Sequence, residues 1–337
     1  MNLKTIAKLA GVSTATVSYV INGNHHKVSQ ETIEKVQRII EETNYKPNAT
    51  ARSLASKKSR IIGVVVSNID DDDNFASNPH YAHLMALLEN EIRSHGYYMM
   101  LRCVSHCRDI IPMFSSWNVD GMIFFGTLAG DVLDMKENIQ VPTVFIDAYM
   151  EDMMFANVGV DDYKGGYLSA KYLLEKGHRE IAVVGIGFQY YGVMGQRFRG
   201  FCQACREYGV QVTQDHVFID KTDYPCGIEV GKRIAASAVP FTAAAVMADI
   251  AAIGVMEGLR MGGKRVPEDV SVIGFDNLKE GQYTYPKLTT ISQNITEKAR
   301  QVARLLLEMI QGETAVKNIT LDDLEVVQRD SVLDINR

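Results

Sequence analysis

At Arg60 the hydrophobic pattern changes period, and that change constrains the architecture more than any other feature. Before it the apolar residues recur at helical spacing in short blocks. After it Ile61-Ile62-Gly63-Val64-Val65-Val66 is a continuous apolar run of strand length. Further runs fall at Tyr98 to Leu101, Met122 to Phe125, Thr143 to Ile146, Ile181 to Val184, Ala243 to Met247 and Val270 to Ile273. Helical patterns lie between them, as at Leu84 to His95 and Gly165 to Glu175. Apolar strands alternating with helices predict parallel sheets covered by helices. The stretch after Arg60 is too long for one such unit and implies two lobes.

Charge divides at the same place. Residues 1–60 carry ten Lys/Arg and four Asp/Glu, a net +6, while the whole chain carries −6 at pH 7. A basic head on an acidic body suits a protein that meets phosphate through one end. No stretch approaches the roughly 18 apolar residues a membrane span needs. Met1-Asn2-Leu3-Lys4-Thr5 leads straight into helix signals without a signal-peptide core. A cytoplasmic protein is the expectation, and five cysteines without a secreted framework agree with it.

Within the head, Ile6 and Leu9 form an apolar pair on a first short helix, and Gly11 can take a sharp turn. Ser13 then caps a second helix from Thr14 to Ile21, whose Val17, Val20 and Ile21 should pack on Ile6 and Leu9. Asn22-Gly23 ends that helix. Ser29 can cap a third, with Ile33, Val36, Ile39 and Ile40 inward. Short helix, glycine turn, short helix and supporting helix is the helix-turn-helix arrangement. The solvent face of the second helix shows Thr14, Ala15, Ser18 and Tyr19, which are small or hydrogen-bonding and can approach base edges. An arbitrary helical bundle would show a Lys/Glu mix there. Pro47 breaks the third helix and Asn48 can start another, too short to persist alone. Its Leu54 has nothing local to bury it, so the segment is either a plain linker or a hinge helix that folds on DNA and wedges Leu54 into the minor groove.

Three ordered motifs carry a resemblance. Ile6 to Gly23, then Asn44-Tyr45-Lys46-Pro47-Asn48, then Ala51-Arg52-Ser53-Leu54-Ala55 closely resemble the lactose-repressor/galactose-repressor (LacI/GalR) family. In the body, Lys176-Gly177-His178-Arg179-Glu180, Arg197-Phe198-Arg199-Gly200-Phe201, Val266 to Asn277 and Pro286 to Ile291 resemble it too. The resemblance implies that Ser13 and Asn22 hold phosphates, that Thr14, Ala15 and Tyr19 face bases, and that Leu54 is the wedge. It extends the DNA-binding set to Leu3, Thr16, Ser18, Tyr45, Asn48, Arg52 and Ala55. Tyr19 stands where the family often has arginine, so a bidentate guanine contact is not available there. For the body it implies a periplasmic-binding-protein-like fold whose chain crosses between lobes near 160, 290 and 322. The implied domains are a helix-turn-helix head over 1–47, a hinge helix over 48–59, a first lobe from 60–160 with 292–322, and a second from 161–291 with 323–337.

Asp147, Arg197 and Asp276 follow or adjoin predicted strand ends, where ligands bind in open parallel sheets. Two carboxylates and a guanidinium with an aromatic suit a polar ring, because acids accept from hydroxyls and arginine donates in a fork. By resemblance Tyr224 supplies the aromatic, Asn78-Pro79-His80-Tyr81 the first-lobe contacts, and Asp249 completes the effector set of His80, Tyr81, Asp147, Arg197, Tyr224, Asp249 and Asp276. Ala248 stands where sugar-responsive relatives often carry a polar side chain, so a standard hexose loses one hydrogen bond.

Other features read as structure. Cys202 and Cys205 lie on a predicted helix and are expected to be buried thiols. Asp70-Asp71-Asp72-Asp73-Asn74 begins like a calcium loop but has Phe75 and Tyr81 where the loop wants Gly and Glu. His80 and His83 are a weak metal pair. No cofactor is expected. No GxSxG elbow, P-loop or zinc-ligand cluster is present, so an enzyme is not expected. The expected protein is a DNA-binding transcription regulator, a repressor. It would be a homodimer on near-palindromic operator DNA, with no membrane partner, and a sugar or sugar derivative would bind between its lobes. Closure of the cleft would shift the lobe arrangement that supports the hinge helices. A transport-type solute-binding protein is the alternative that the body alone would allow. No leucine heptad tail follows Arg329, which points to a dimer and not a tail-made tetramer.

Overall fold

The computed structural model describes residues 2–21, 23–45, 58–67, 75–110, 118–127, 138–149, 155–188, 192–313 and 317–336. The chain divides into two compact units, Met1–Arg60 and Ile61–Arg337. Asn22, Asn48, Arg52, Leu54 and Ala55, together with the acidic run at 70–74, lie outside the described residues.

The first unit is three helices, α1 (Leu3–Ala10), α2 (Thr14–Ile21) and α3 (Gln30–Glu42). Asn2 caps α1 by accepting from the Thr5 amide at 3.0 Å. Gly11 ends it with φ +67°, a conformation that a Cβ disfavours, and so turns the chain within two residues. The Ser13 hydroxyl accepts from the Thr16 amide at 3.0 Å and starts α2. The core is Ile6, Ala7, Ala10, Val17, Val20, Ile33 and Val36. Leu9 is not in it. It is 54% exposed, because α1 turns Ala7 and Ala10 inward beside Ile6, and the small side chains let α2 approach closely. Ile21, Ile39 and Ile40 cover the core's margin and are only partly buried.

The second unit holds two sheets. The strands of the first are β1 (Ile61–Ser67), β2 (Tyr98–Val104), β3 (Gly121–Phe125), β4 (Thr143–Ile146), β5 (Ala156–Val160) and β11 (Asn318–Leu321). Their order is β11-β5-β4-β3-β1-β2, and every pair is parallel. The second sheet takes β6 (Ile181–Gly185), β7 (Val217–Ile219), β8 (Ala243–Val246), β9 (Ser271–Asp276), β10 (Thr289–Ser292) and β12 (Glu325–Val327), in the order β12-β10-β9-β8-β6-β7. Here β12 pairs antiparallel to β10, a departure from the all-parallel expectation at one edge only. Each predicted strand run falls on one of these strands. The central strands are buried on both faces, which explains why β1, β3 and β8 read as unbroken apolar runs.

Helices α4 (Pro79–Ser94) and α9 (Ile295–Gln311) pack against the first sheet. Around the second lie α5 (Asp162–Glu175), α6 (Val193–Glu207), α7 (Tyr224–Ala235) and α8 (Asp249–Met261). The chain passes between the lobes after Val160, between Ser292 and Ile295, and between Leu321 and Glu325. Contact between α5 and α6 depends on glycine. A Cβ on Gly166 would collide with the Arg197 carbonyl, and one on Gly200 with the Tyr163 carbonyl. That close approach fixes the backbone of Arg197. On α6, Cys205 is buried and its thiol is pushed up to about 12 by burial, whereas Cys202 is only half-buried.

Candidate functional site

A cleft of about 250 Å³ opens between the two lobes, at the carboxyl ends of the strands. The sequence expectation placed Asp147, Arg197 and Asp276 together, and all three line it, as do His80 and Tyr81. Asp147 directly follows β4 and Asp276 ends β9. Both hold positive φ, +54° and +117°, and Asn277 adds a third at +57°. Such backbone is uncommon outside glycine and concentrates where geometry is functional. His80 and Tyr81 come from the first turn of α4, which Asn78 caps by accepting from the His80 amide at 3.0 Å. The Tyr81 and Phe125 rings meet edge to face at 4.7 Å and form an apolar wall with Ile146 and Met194.

Two buried ion pairs brace the cleft. Arg197 Nε donates to Asp162 Oδ1 at 2.8 Å, one terminal nitrogen donates to the Met247 carbonyl at 2.7 Å, and the guanidinium lies 3.5 Å over the Phe275 ring. Tyr149 donates to the other oxygen of Asp162 at 2.7 Å. Lys298, only 1% exposed, donates to both oxygens of Asp147 at 2.7 and 2.9 Å and to Gln293 Oε1 at 2.8 Å. All three ammonium protons therefore have acceptors. Gln293 passes the order on, its amide donating to Asp276 Oδ1 at 2.7 Å. One chain of contacts thus joins Asp147 of the first lobe, Lys298 on α9, Gln293 at a crossing, and Asp276 of the second lobe.

Asp276 is less well compensated. Burial pushes its carboxyl up to about 6, against the pull of Arg197, Gln293 and Lys298. Beside it His80 is held neutral, its pKa lowered to about 3 by burial and by Lys298. The His80 Nδ1 stands 3.8 Å from Asp276 Oδ1, beyond hydrogen-bond reach, and has no hydrogen-bond partner among the described residues. A carboxyl whose folded pKa is raised contributes most stability below its unfolded pKa and loses it as pH rises through about 6. Replacing Asp276 with Asn should therefore raise the melting temperature of the unliganded protein at neutral pH. The gain should be at most roughly 3 kcal/mol, from about two pKa units. It should fade as pH falls below about 6, which thermal unfolding across pH will read.

Two expected effector residues lie elsewhere. Tyr224 opens α7 and is 38% exposed outside the cleft. Asp223 caps that helix by accepting from the Cys226 amide at 2.8 Å, which starts α7 at Tyr224 and leaves Thr222 to line the cleft. Asp249 is fully buried below the loop that follows Asp276. It accepts from the Thr290 hydroxyl at 2.6 Å and the Leu278 amide at 2.8 Å, so it supports that loop from behind the cleft. Ala248, in contrast, lines the cleft as expected. Tyr149, Asp162, Gln293 and Lys298 were not anticipated. Lys298 left a readable signal, since it continues the buried stripe of α9 through Val302 and Leu305. Among the described residues no group of three or more His, Cys, Asp or Glu is placed to hold a metal.

In the first unit Ser13, Thr14 and Ala15 are exposed, and Thr16, Ser18 and Tyr19 are half-buried on α2. Lys27 Nζ lies 5.1 Å over the Tyr19 ring, so this tyrosine stands beside a cation. Leu3 and Tyr45 pack against the core margin. Lys4, Lys8, Lys27, Lys35 and Arg38 are all exposed, which leaves the basic charge of the unit on its surface.

Comparison with known proteins agrees with this arrangement. Residues 2–48 match the family described as bacterial regulatory proteins, lacI family. Residues 170–332 match the periplasmic binding protein-like domain. The chain is 31% identical over 340 residues to the HTH-type transcriptional repressor PurR of Vibrio parahaemolyticus serotype O3:K6 (strain RIMD 2210633), covering 99% of each chain. Among solved structures it resembles the lac repressor dimer bound to operator and the anti-inducer ONPF, at 25% identity, TM-score 0.86 and 99% coverage of each chain. It also resembles a complex of the transcriptional regulator CelR with cellobiose, at 26% identity and TM-score 0.75, covering 98% of this chain and 99% of that one. A helix-turn-helix unit joined to a two-lobed body, matched end to end by such a relative, makes this chain a member of the lacI family of bacterial transcriptional regulators.

Proposed function

We propose that this regulator is a repressor that binds near-palindromic operator DNA as a homodimer, and that a sugar or sugar derivative in the cleft sets its affinity for DNA. The observation that carries the reading is the union in one chain of two parts. One is a helix–glycine turn–helix unit whose second helix presents Thr14, Ala15, Ser18 and Tyr19. The other is a ligand-sized cleft with carboxylates from both lobes. Small polar side chains can approach base edges, and the exposed lysines around them suit phosphate. The lac repressor relative is bound to operator as a dimer and the CelR relative holds cellobiose, which supports carrying both partners over. Carboxylates beside the aromatic wall of Tyr81 and Phe125 suit ring hydroxyls and the apolar face of a pyranose. Transport-type solute binding accounts for the body and leaves the first unit without a role.

The cleft's cations are engaged with Asp162 and Asp147, an arrangement for binding, so we read it as a sensor and not an active site. No helix among the described residues is long and apolar enough to cross a membrane. A repressor works where its operator is, so the reading expects this one in the cytoplasm. The reading keeps the division into 1–47, 48–59, 60–160 with 292–322, and 161–291 with 323–337. Segment 48–59 is proposed to fold as a hinge helix on DNA, with Leu54 as the minor-groove wedge. Replacing Leu54 with Ala should weaken operator binding by about tenfold or more, since unstacking a step involves a few kcal/mol. Effector binding should be unaffected. Unchanged operator affinity in a gel shift would remove the wedge role. Gel shift of the whole protein with and without candidate sugars tests the wider reading, which predicts selective binding that a cleft ligand changes.

A further inference from the structure

Among the described residues the buried charges around the cleft do not balance. Arg197 is closed on Asp162, and Lys298 on Asp147, each pair almost fully buried. Asp276 makes a third cleft acid with 8% of its side chain exposed, and its hydrogen bond comes from the neutral amide of Gln293. Among the described residues no lysine or arginine comes within ion-pair distance of it. Its neighbour His80 offers Nδ1, buried and without a partner, 3.8 Å away. Both groups line the cleft. The aromatic faces of Tyr81 and Phe125 lie next to them and suit a cation as well as an apolar ring. A buried carboxylate without a cation is costly unless something completes it. Among the described residues nothing in contact with Asp276 supplies that group, and a ligand in the cleft can.

We infer that the cleft selects a sugar-sized ligand bearing a protonated amine, which the Asp276 carboxylate and the free nitrogen of His80 receive together, and rejects sugar phosphates. The ammonium supplies three donors, one for the Asp276 oxygen and one for the neutral imidazole nitrogen. It also restores the charge balance of the cleft. A phosphate would enter a site whose two cations are already committed to carboxylates and whose remaining charge is negative. This inference rests on the sugar reading of the cleft and narrows it.

The test uses the full chain and a matched panel. Glucose, galactose, mannose and ribose are each compared with their amino and phosphorylated forms, by thermal shift and then calorimetry at neutral pH. The expected result is that one amino form binds about tenfold or more tightly than its parent, because a hydrogen bond to a charged group adds roughly 1.5 kcal/mol or more. No phosphate form should bind. In Asp276→Asn that preference should collapse to near parity. A neutral or phosphorylated sugar that binds as well as its amino form overturns this inference and leaves the sugar reading standing. Silence from the whole panel overturns both. A second measurement needs no ligand. If Asp276→Asn melts lower than the parent protein at neutral pH, the carboxylate already has its partner and the inference fails.

Discussion

Replacing Lys298 with Met should destabilise the body by about 3–5 kcal/mol, the usual cost of removing one partner from a buried ion pair. Methionine matches the lysine in length and apolar stem, so packing against Val302 and Leu305 should survive. The carboxylate of Asp147 would not fare as well. It would lose both of its bonds to Lys298, and Gln293 would lose a donor while still holding Asp276. Changing Asp147 to Asn in the same chain should recover much of the loss, because no uncompensated charge then remains. A double-mutant cycle by denaturant unfolding will show the coupling as a non-additive term. Additive losses would mean that Lys298 only fills space.

The second large effect is expected at Arg197. Replacement by Met leaves Asp162 buried with Tyr149 as its remaining side-chain partner and strips the Met247 carbonyl of a donor. A loss of about 3–5 kcal/mol in the body is expected on the same grounds. Lysine should not substitute, since one ammonium on a flexible stem cannot reproduce a planar fork that also stacks on Phe275. The first unit is compact by itself. Variant protein should therefore retain DNA binding at temperatures where the body stays folded, while its response to effector disappears. Calorimetry for the body and a gel shift for DNA separate the two outcomes. Loss of DNA binding together with the effector response, in a body still folded, would contradict the division of labour.

Much of this arrangement was legible in the chain itself. Apolar runs of strand length announced the central strands of both sheets because both faces of those strands are buried, whereas the half-exposed edge strands β7, β11 and β12 left no such run. Asp147 and Asp276 were found because parallel sheets deliver side chains to their carboxyl ends. Leu9 was misplaced because helical periodicity favours the largest apolar residue. The close approach of α1 and α2 is instead made by Ala7 and Ala10. Tyr224 lies off the cleft because the cap at Asp223 starts α7 there, and the segment reaches the cleft through Thr222 instead. Lys298 went unread because its partners are 151 and 5 residues away in sequence. Only the packing of α9 on the folded first sheet brings Lys298 to Asp147.

The central claim is that one chain reads DNA and changes its grip when the cleft fills. The most direct measurement is a binding isotherm of full-length protein on a duplex chosen by in vitro selection, against random duplex, with and without the panel sugars. The account predicts selectivity of about a thousandfold or more over random DNA. It predicts a further change of roughly 5- to 150-fold when the cleft is occupied. The two affinities should draw together in Arg197→Met. Equal affinity for selected and random duplex, or selectivity that no cleft ligand alters, would contradict it.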